Sequence, residues 1–150
     1  MLAFTPRFRL PSGSSSNSVP LSPRSEGGAA SGGVRLLLRL EGVAAFAVSL
    51  ALYAHAGFSW LIFALFLLAP DLSMLGYLAG PRVGATLYNL VHTYVLALLL
   101  TLVGFLGAQP ALTTAGLILV AHIGLDRALG YGLKYSTAFG DTHLGRTGRR

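Results

Sequence analysis

Four long runs of apolar residues follow one another along the chain from Val34 onward. They extend over about residues 36–56, 58–79, 83–107 and 110–132, with only a few polar residues in each. Each run is close to the roughly 20 residues that an α-helix, rising about 1.5 Å per residue, needs to cross about 30 Å of hydrocarbon. The pattern therefore predicts an all-α protein with four membrane-spanning helices.

The breaks between these runs are very short. They consist of residues 55–57, 80–82 and 107–110, and each contains glycine. Connections of this length place consecutive helices side by side and in opposite directions. The expected architecture is an integral membrane four-helix up-down bundle over residues 34–135. A soluble bundle with unusually apolar helices is the alternative.

The two ends of the chain differ in composition from this central region. Residues 1–33 are rich in Ser, Gly and Pro and contain three arginines but a single acidic residue. Such a segment has no apolar face to bury, so we expect a disordered basic leader; an organellar transit peptide is the alternative. A secretory signal is not expected, because the first apolar run begins beyond residue 35. Residues 136–150 are expected to form a short basic tail in the cytoplasm.

The composition supports a membrane protein and excludes several kinds of chemistry. Of the 150 residues, 53% are apolar and only 11% are charged, and the mean hydropathy is +0.65. A soluble domain contains about 25% charged residues, so the composition argues against an ordinary soluble domain. The chain contains no cysteine, which excludes disulfide bonds, thiolate metal sites and a cysteine nucleophile.

The net charge of +6 is distributed unevenly between the two sides of the predicted bundle. The turns after the first and third runs contain no Lys or Arg, whereas the other side collects Arg35, Arg39, Arg82, Arg127, Lys134, Arg146, Arg149 and Arg150. Short cytoplasmic loops are enriched in these residues. We therefore expect a multi-pass protein of a bacterial inner membrane with both termini in the cytoplasm. The expected partner is the lipid bilayer and not nucleic acid; the oligomeric state stays open.

Six polar residues interrupt the apolar runs, and they form the candidate site: Asp71, Asn89, His92, His122, Asp126 and Arg127. A charge near the centre of a membrane helix costs roughly 2.5–3.5 kcal/mol, so such residues are expected to face the bundle interior. Counted from the cytoplasmic helix ends, Asp71, His92 and His122 lie about 14–15 Å deep. Asn89 and Asp126 lie about 9 Å deep by the same count. The set thus occupies two levels and comes from three helices.

The spacing of these residues places them on shared helix faces. Asn89 and His92 are three positions apart, and His122 and Asp126 are four apart, so each pair lies on one face of its helix. Pro70 precedes the acid of the second run and is expected to kink that helix and free backbone carbonyls. Together these features predict a polar cluster in the cytoplasmic half of the bundle.

Three roles for this cluster are compatible with the sequence. The residues can hydrogen-bond one another and stabilise helix packing, with Arg127 neutralising an acid or extending to the interface. Alternatively, Asp71, His92, His122 and Asp126 can bind a divalent metal such as Zn, Mn or Fe and activate water for hydrolysis. A proton or small-solute pathway through the His and Asp residues is the third possibility.

Residues near the cytoplasmic interface add two smaller expectations. Tyr77, Tyr88 and Tyr131 are expected to be interfacial belt residues, because tyrosine commonly has one apolar and one hydrated end there. In the tail, His143 either covers the mouth of the polar cluster or is exposed to solvent.

Several blocks of the chain resemble one known family. They are Ala69–Tyr77, Tyr88–His92, Ala121–His122 with Asp126–Arg127, Gly130–Tyr135 and Asp141–Gly145. In this combination they resemble the small bacterial membrane proteins grouped as domain of unknown function 4260. The resemblance extends over about residues 36–145 and implies an uncharacterised integral membrane protein.

A second similarity concerns the order of the polar motifs. Pro70-Asp71, then His92, then His122 with Asp126 is similar to the motif order of membrane-bound metal-dependent hydrolases of the LexA-regulated type. The middle motif of those hydrolases contains a second histidine and an arginine, which residues 89–94 lack. The similarity implies a metal-dependent hydrolase as the alternative function.

Overall fold

The computed structural model describes residues 28–147. Its helices are α1 (Gly32–His55), α2 (Trp60–Phe66), a 3₁₀ helix (Ala69–Ala79), α3 (Pro81–Val91), α4 (Tyr94–Leu106) and α5 (Pro110–Leu129). α1 begins at Gly32, so the last two residues of the predicted leader are helical. Residues 1–27 of that predicted disordered leader and the arginines at 149 and 150 lie outside the described residues.

These helices combine into four spans that are long and apolar enough to cross a membrane: Gly32–His55, Trp60–Ala79, Pro81–Leu106 and Pro110–Leu129. Many large apolar side chains are exposed, Leu78 by 88% and Phe105 by 75%. Exposed apolar surface of this extent fits contact with lipid and not with water. The predicted all-α, four-span membrane architecture is confirmed.

Two of the spans are interrupted near their middle. Pro70 lacks a backbone N–H, and the second span changes there from α2 to an eleven-residue 3₁₀ helix. In the third span, α3 ends at Val91, and Thr93 caps α4 by accepting a hydrogen bond from the Val95 N–H at 3.4 Å. The predicted kink in the second span is thus a change of helix type. The break in the third span was not predicted.

α5 is the central helix of the bundle. Its residues from Gly116 to Gly124 are all buried, and α1 and α4 both pack against it. Two groups of buried apolar side chains fill the spaces between these helices: Tyr53, Phe63, Leu117, Ile118 and Ala121 in one, and Ala97, Leu119, Val120 and Ile123 in the other.

The segment after α5, residues 130–147 and called the tail from here on, folds back onto one end of the bundle. Asp141–Thr142 (β1) and Gly145–Arg146 (β2) form an antiparallel hairpin, and Lys134 bridges to Thr142. The Ala30 N–H donates to the His143 carbonyl at 2.7 Å, which joins the tail to the chain just before α1. The start of α1 and the end of α5 therefore lie at the same end of the bundle.

The contact between α1 and α5 depends on two glycines. A Cβ atom on Gly42 would lie 2.5 Å from the Arg127 Cβ and 2.8 Å from the Gly124 carbonyl oxygen. A Cβ atom on Gly124 would lie 2.7 Å from the Phe46 nitrogen. The two backbones touch at this crossing, as small residues permit between membrane helices.

We predict that Gly42→Ala destabilises the bundle by about 1–3 kcal/mol, because the added methyl group has no room between the two helices. Thermal unfolding in detergent measures the effect. Gly33→Ala is the matched control, since no atom of the described chain lies within 4 Å of a Cβ there. A Gly42→Ala protein that melts at or above the temperature of the control would contradict the close contact.

Candidate metal centre

Four ionisable side chains meet inside the bundle. Asp71 comes from the start of the 3₁₀ helix, His92 from the break between α3 and α4, and His122 and Asp126 from α5. One nitrogen or oxygen atom from each of the four lies within 4.8 Å of those of the others. The Asp/His cluster expected from the sequence is therefore present, with contributions from three spans.

The two imidazole rings lie at the centre of this group. The Nε2 atoms of His92 and His122 are 3.0 Å apart. The Asp71 Oδ1 atom lies 3.5 Å from the His92 Nε2 and 3.6 Å from the His122 Nε2. The Asp126 Oδ2 atom lies 3.7 and 3.8 Å from the same two nitrogens. Each carboxylate thus contacts both histidines.

A backbone contact determines which His92 nitrogen carries the proton. The His92 Nδ1 atom lies 2.9 Å from the Tyr88 carbonyl oxygen. A carbonyl oxygen can only accept, so Nδ1 is the donor, and in the neutral ring Nε2 carries the lone pair. That lone pair points into the cluster, which is the orientation that a metal ligand requires.

The histidines and the aspartates differ in their access to solvent. His92 and His122 are buried, with side chains 3% and 2% exposed, whereas Asp71 and Asp126 are 35% and 17% exposed. Within residues 28–147, the His122 Nδ1 atom is also buried and has no hydrogen-bond partner. The two carboxylates therefore form the accessible side of the cluster and the imidazoles its inner side.

Tyr88 belongs to this site, and the expectation that it is an interfacial belt residue is wrong. It is only 2% exposed, and its hydroxyl donates to the Asp126 Oδ2 at 3.0 Å. Its ring stacks on that of His92, with centroids 3.7 Å apart and planes 13° apart. Tyr88 and His92 are four residues apart, and this spacing on one helix face was the available signal.

Asn89 and Arg127 do not join the four converging residues. The Asn89 side chain bonds to the backbone of Lys134 twice, donating to its carbonyl at 2.8 Å and accepting from its N–H at 2.7 Å. Arg127 has no carboxylate within 4 Å in the part of the chain that the structure describes. Its guanidinium instead contacts the His143 ring and donates to the His92 carbonyl at 3.5 Å. Both residues attach the tail to the bundle.

The dimensions of the cluster fit a metal ion. Ligands about 2.1 Å from a metal are about 3.4 Å apart in a tetrahedral shell and about 3.0 Å apart at right angles in an octahedral one. The His–His separation and the four His–Asp separations, 3.0–3.8 Å, lie close to these values, and all four ligand atoms lie within 4.8 Å of one another. Two imidazole nitrogens and two carboxylate oxygens suit Zn, Mn or Fe(II).

A cavity of about 360 Å³ lies in front of the two carboxylates. Its lining comes from the spans and from the tail, and consists of Asp71, Met74, Tyr88, Asp126, Tyr131, Lys134, Phe139 and Thr147. A cavity of this size is at the small end of the range for ligand sites. The accessible side of the cluster therefore has room for water and for a small chemical group.

The fold and this cluster define a small multi-pass membrane protein with a buried group of Asp and His side chains. The chain belongs to the family described as Domain of unknown function (DUF4260), whose model matches residues 35–147. No curated protein and no solved structure matches the chain.

His143 does not lie free at the surface. The Leu133 N–H donates to its Nδ1 at 2.9 Å, and an Arg127 guanidinium nitrogen lies 2.5 Å from its Nε2. Both ring nitrogens thus face donors, from which a neutral ring accepts one hydrogen bond and a doubly protonated ring accepts none. Burial, and then the positive charge of Arg127, lower the pKa of His143 from its ordinary value.

We predict that acid weakens the docking of the tail. When the tail is released, His143 binds a proton at the ordinary histidine pKa of about 6.5, whereas in the docked tail the ring resists protonation. Docking is therefore complete above about pH 6.5 and is lost as the pH falls below it. A fluorophore on a cysteine introduced at the exposed Ser136 reports this change, since the chain has no native cysteine. His143→Gln should flatten the pH profile; an unchanged transition in that variant would refute the assignment to His143.

Proposed function

We propose that the protein is a metal-dependent hydrolase of the membrane, in which Asp71, His92, His122 and Asp126 bind one divalent ion. The observation that carries this proposal is the convergence of four ligand atoms within 4.8 Å of one another. A divalent ion bound there would lower the pKa of a coordinated water to about 7 and so supply hydroxide at neutral pH.

The cost of burial supports a metal over simple packing. Three spans each bring at least one ionisable group into the bundle, although small apolar residues stabilise helix contacts without that cost. A divalent cation offsets the repulsion between the two carboxylates and provides an electrophile for the lone pairs of both histidines. Hydrogen bonding among the four residues also accounts for their contacts; within residues 28–147 the His122 Nδ1 has no partner, with or without a metal at Nε2.

The number of protein ligands favours particular metals. Four ligands complete the tetrahedral shell that Zn adopts in structural sites, whereas catalytic Zn sites retain one position for water. Mn and Fe(II) accept up to six ligands, so the same four residues leave positions for water on the side of the cavity. We therefore expect the active form to contain Mn or Fe(II), or Zn with an expanded shell.

The orientation in the membrane follows from the charges at the end of the bundle that carries the tail. Arg39 donates to the Ala128 carbonyl at 2.8 Å, and Arg35 lies beside Gly145, so these cations gather where α1 begins and α5 ends. Enrichment in Lys and Arg is typical of the cytoplasmic side. We infer that the cavity opens to the cytoplasm of a bacterial cell, that both ends of the chain lie there, and that residues 136–150 form a cytoplasmic tail.

Transport of protons or small solutes is a second candidate, favoured by the 3.0 Å contact between His92 and His122. A pathway across the membrane needs polar groups on both sides of the cluster. Toward the opposite end of the bundle, however, Phe63, Leu117 and Ile118 form part of a buried apolar cluster, and a cavity of about 480 Å³ there has an almost entirely apolar lining. The arrangement therefore favours a site with polar groups on one side only.

We predict stoichiometric divalent metal in the protein purified in detergent, measured by elemental analysis after incubation with Zn, Mn or Fe(II) and removal of unbound ions. His92→Ala and His122→Ala should lose it, because each removes one of four ligands. His55→Ala, at the exposed end of α1, is the matched control and should retain it. Wild-type protein that binds none of the three metals at neutral pH would overturn the proposal. Proton flux in proteoliposomes that depends on Asp71 would favour transport instead.

A further prediction concerns Tyr88, which orients a proposed ligand without touching the metal. Tyr88→Phe removes only the hydroxyl that bonds to Asp126 and retains the ring stacked on His92. Loss of such an outer hydrogen bond costs about 10–100-fold in metal affinity. Competition with a chelator measures the affinity, and Tyr131→Phe, at an exposed tyrosine of the same cavity, is the control. Equal affinities in the two variants would refute the role assigned to Tyr88.

A further inference from the structure

The cavity in front of the cluster has two chemically different walls. The bundle provides the carboxylates of Asp71 and Asp126, and the tail provides a single cation, Lys134. A substrate of the proposed hydrolase must therefore lie between the metal site and this lysine. The chemistry of Lys134 decides which class of substrate fits.

Lys134 is a buried cation with unused hydrogen-bonding capacity. The residue is only 6% exposed, and its ammonium group donates one hydrogen bond, to the Phe139 carbonyl at 3.0 Å. An ammonium group has three donors, so two remain for a ligand. Among residues 28–147, no carboxylate oxygen lies within 4 Å of this group.

Several contacts hold this ammonium group in place. It lies 3.6 Å from the centroid of the Phe139 ring and 4.8 Å from that of the Tyr88 ring, which are cation–π contacts. The backbone of Lys134 is held by both hydrogen bonds of Asn89 and by the bridge to Thr142. The tail therefore places one cation at a defined point of the cavity wall, close to the ring that bonds to Asp126.

The charge of the cavity changes sign when a metal is present. Two ionised carboxylates and one ammonium group give the lining a net charge of −1, and a divalent ion changes it to +1. An anion is then attracted by two cations of the same cavity, in a partly buried site where electrostatic interactions are strong. Phosphate suits this arrangement, because its several oxygen atoms can bind a metal and accept from an ammonium group at the same time.

We propose that the cavity binds the phosphate group of a phosphate ester, which the metal contacts on one side and Lys134 on the other. This inference rests on the proposed function, since it requires the metal. In hydrolysis of such an ester, the water oxygen forms a bond to phosphorus, the bond from phosphorus to the ester oxygen breaks, and that oxygen takes one proton from the water. The products are an alcohol and inorganic phosphate. Lys134 binds and orients the phosphate and takes no part in the proton transfer.

The binding experiment uses inorganic phosphate as the probe and titration calorimetry of the full chain in detergent. Metal-loaded protein should bind phosphate, and protein freed of metal by a chelator should not. Lys134→Gln should weaken binding by about tenfold or more, because it removes a charge-assisted hydrogen bond. Arg82→Gln is the control, since it removes an exposed cation that does not line the cavity.

Metal analysis of the same samples separates the two proposals. Protein without metal overturns the proposed function and this inference together. Metal-loaded protein that binds no phosphate, or a Lys134→Gln variant that binds it as well as wild type, overturns the inference alone. If Lys134→Gln does not fold, Lys134→Arg takes its place. Phosphate binding retained by the metal-loaded variant supports a cation at this point. Phosphate binding that is tenfold weaker refutes the inference that a positive charge at this position is sufficient.

A second measurement distinguishes the source of the phosphate. Release of inorganic phosphate is compared for phosphatidic acid in mixed micelles and for glycerol phosphate in solution. Release from the lipid alone identifies a lipid headgroup as the substrate, and release from the soluble ester alone identifies a soluble substrate. Release from neither by metal-loaded wild-type protein refutes a phosphate monoester as the substrate.

Discussion

The contact between the two buried imidazoles constrains the rest of the structure. His92 and His122 lie 3.0 Å apart inside a bundle with little other polar surface. Their polar atoms are desolvated there, so each needs a partner from the protein or from a ligand. Two carboxylates and one backbone carbonyl provide these partners within residues 28–147, apart from the contact of the two rings with each other and the unpaired His122 Nδ1. Three spans must therefore keep a fixed register relative to one another. The remaining span, α1, packs closely against α5 through the glycines at their crossing.

The tail is part of the site and not an appendage. It reaches the bundle through three independent contacts: Asn89 with the backbone of Lys134, Arg127 with His143, and the His143 carbonyl with Ala30. These contacts hold the segment that provides Lys134 and Phe139 to the lining of the cavity. The two predicted levels do not separate by role. Asp126 of the lower level joins the three deeper residues in the cluster, whereas Asn89 of the same level holds the backbone of Lys134.

Much of the fold was predictable because the membrane imposes simple rules. The length of each apolar run gave the number of spans, and the i, i+4 spacing of His122 and Asp126 predicted that both face inward. Helix periodicity does not reveal which neighbour a side chain meets, so the bond of Asn89 to Lys134 was missed. Tyr88 was assigned to the interface from its chemistry and height, although its spacing to His92 put it on the inward face. The break at Thr93 was not predicted because no proline or glycine lies near it in the sequence.

The 3₁₀ winding of the second span has a consequence for Asp71. A 3₁₀ helix turns about 120° per residue and an α-helix about 100°, so over the eight residues from Asp71 to Ala79 the two forms differ by about 160° in direction. If this segment rewound as an α-helix with Ala79 fixed, the carboxylate would turn toward the opposite face and retreat by about 4 Å. The same residues would then leave the two histidines with one acid instead of two. The helix type of residues 69–79 therefore determines how many acidic side chains lie beside the two histidines.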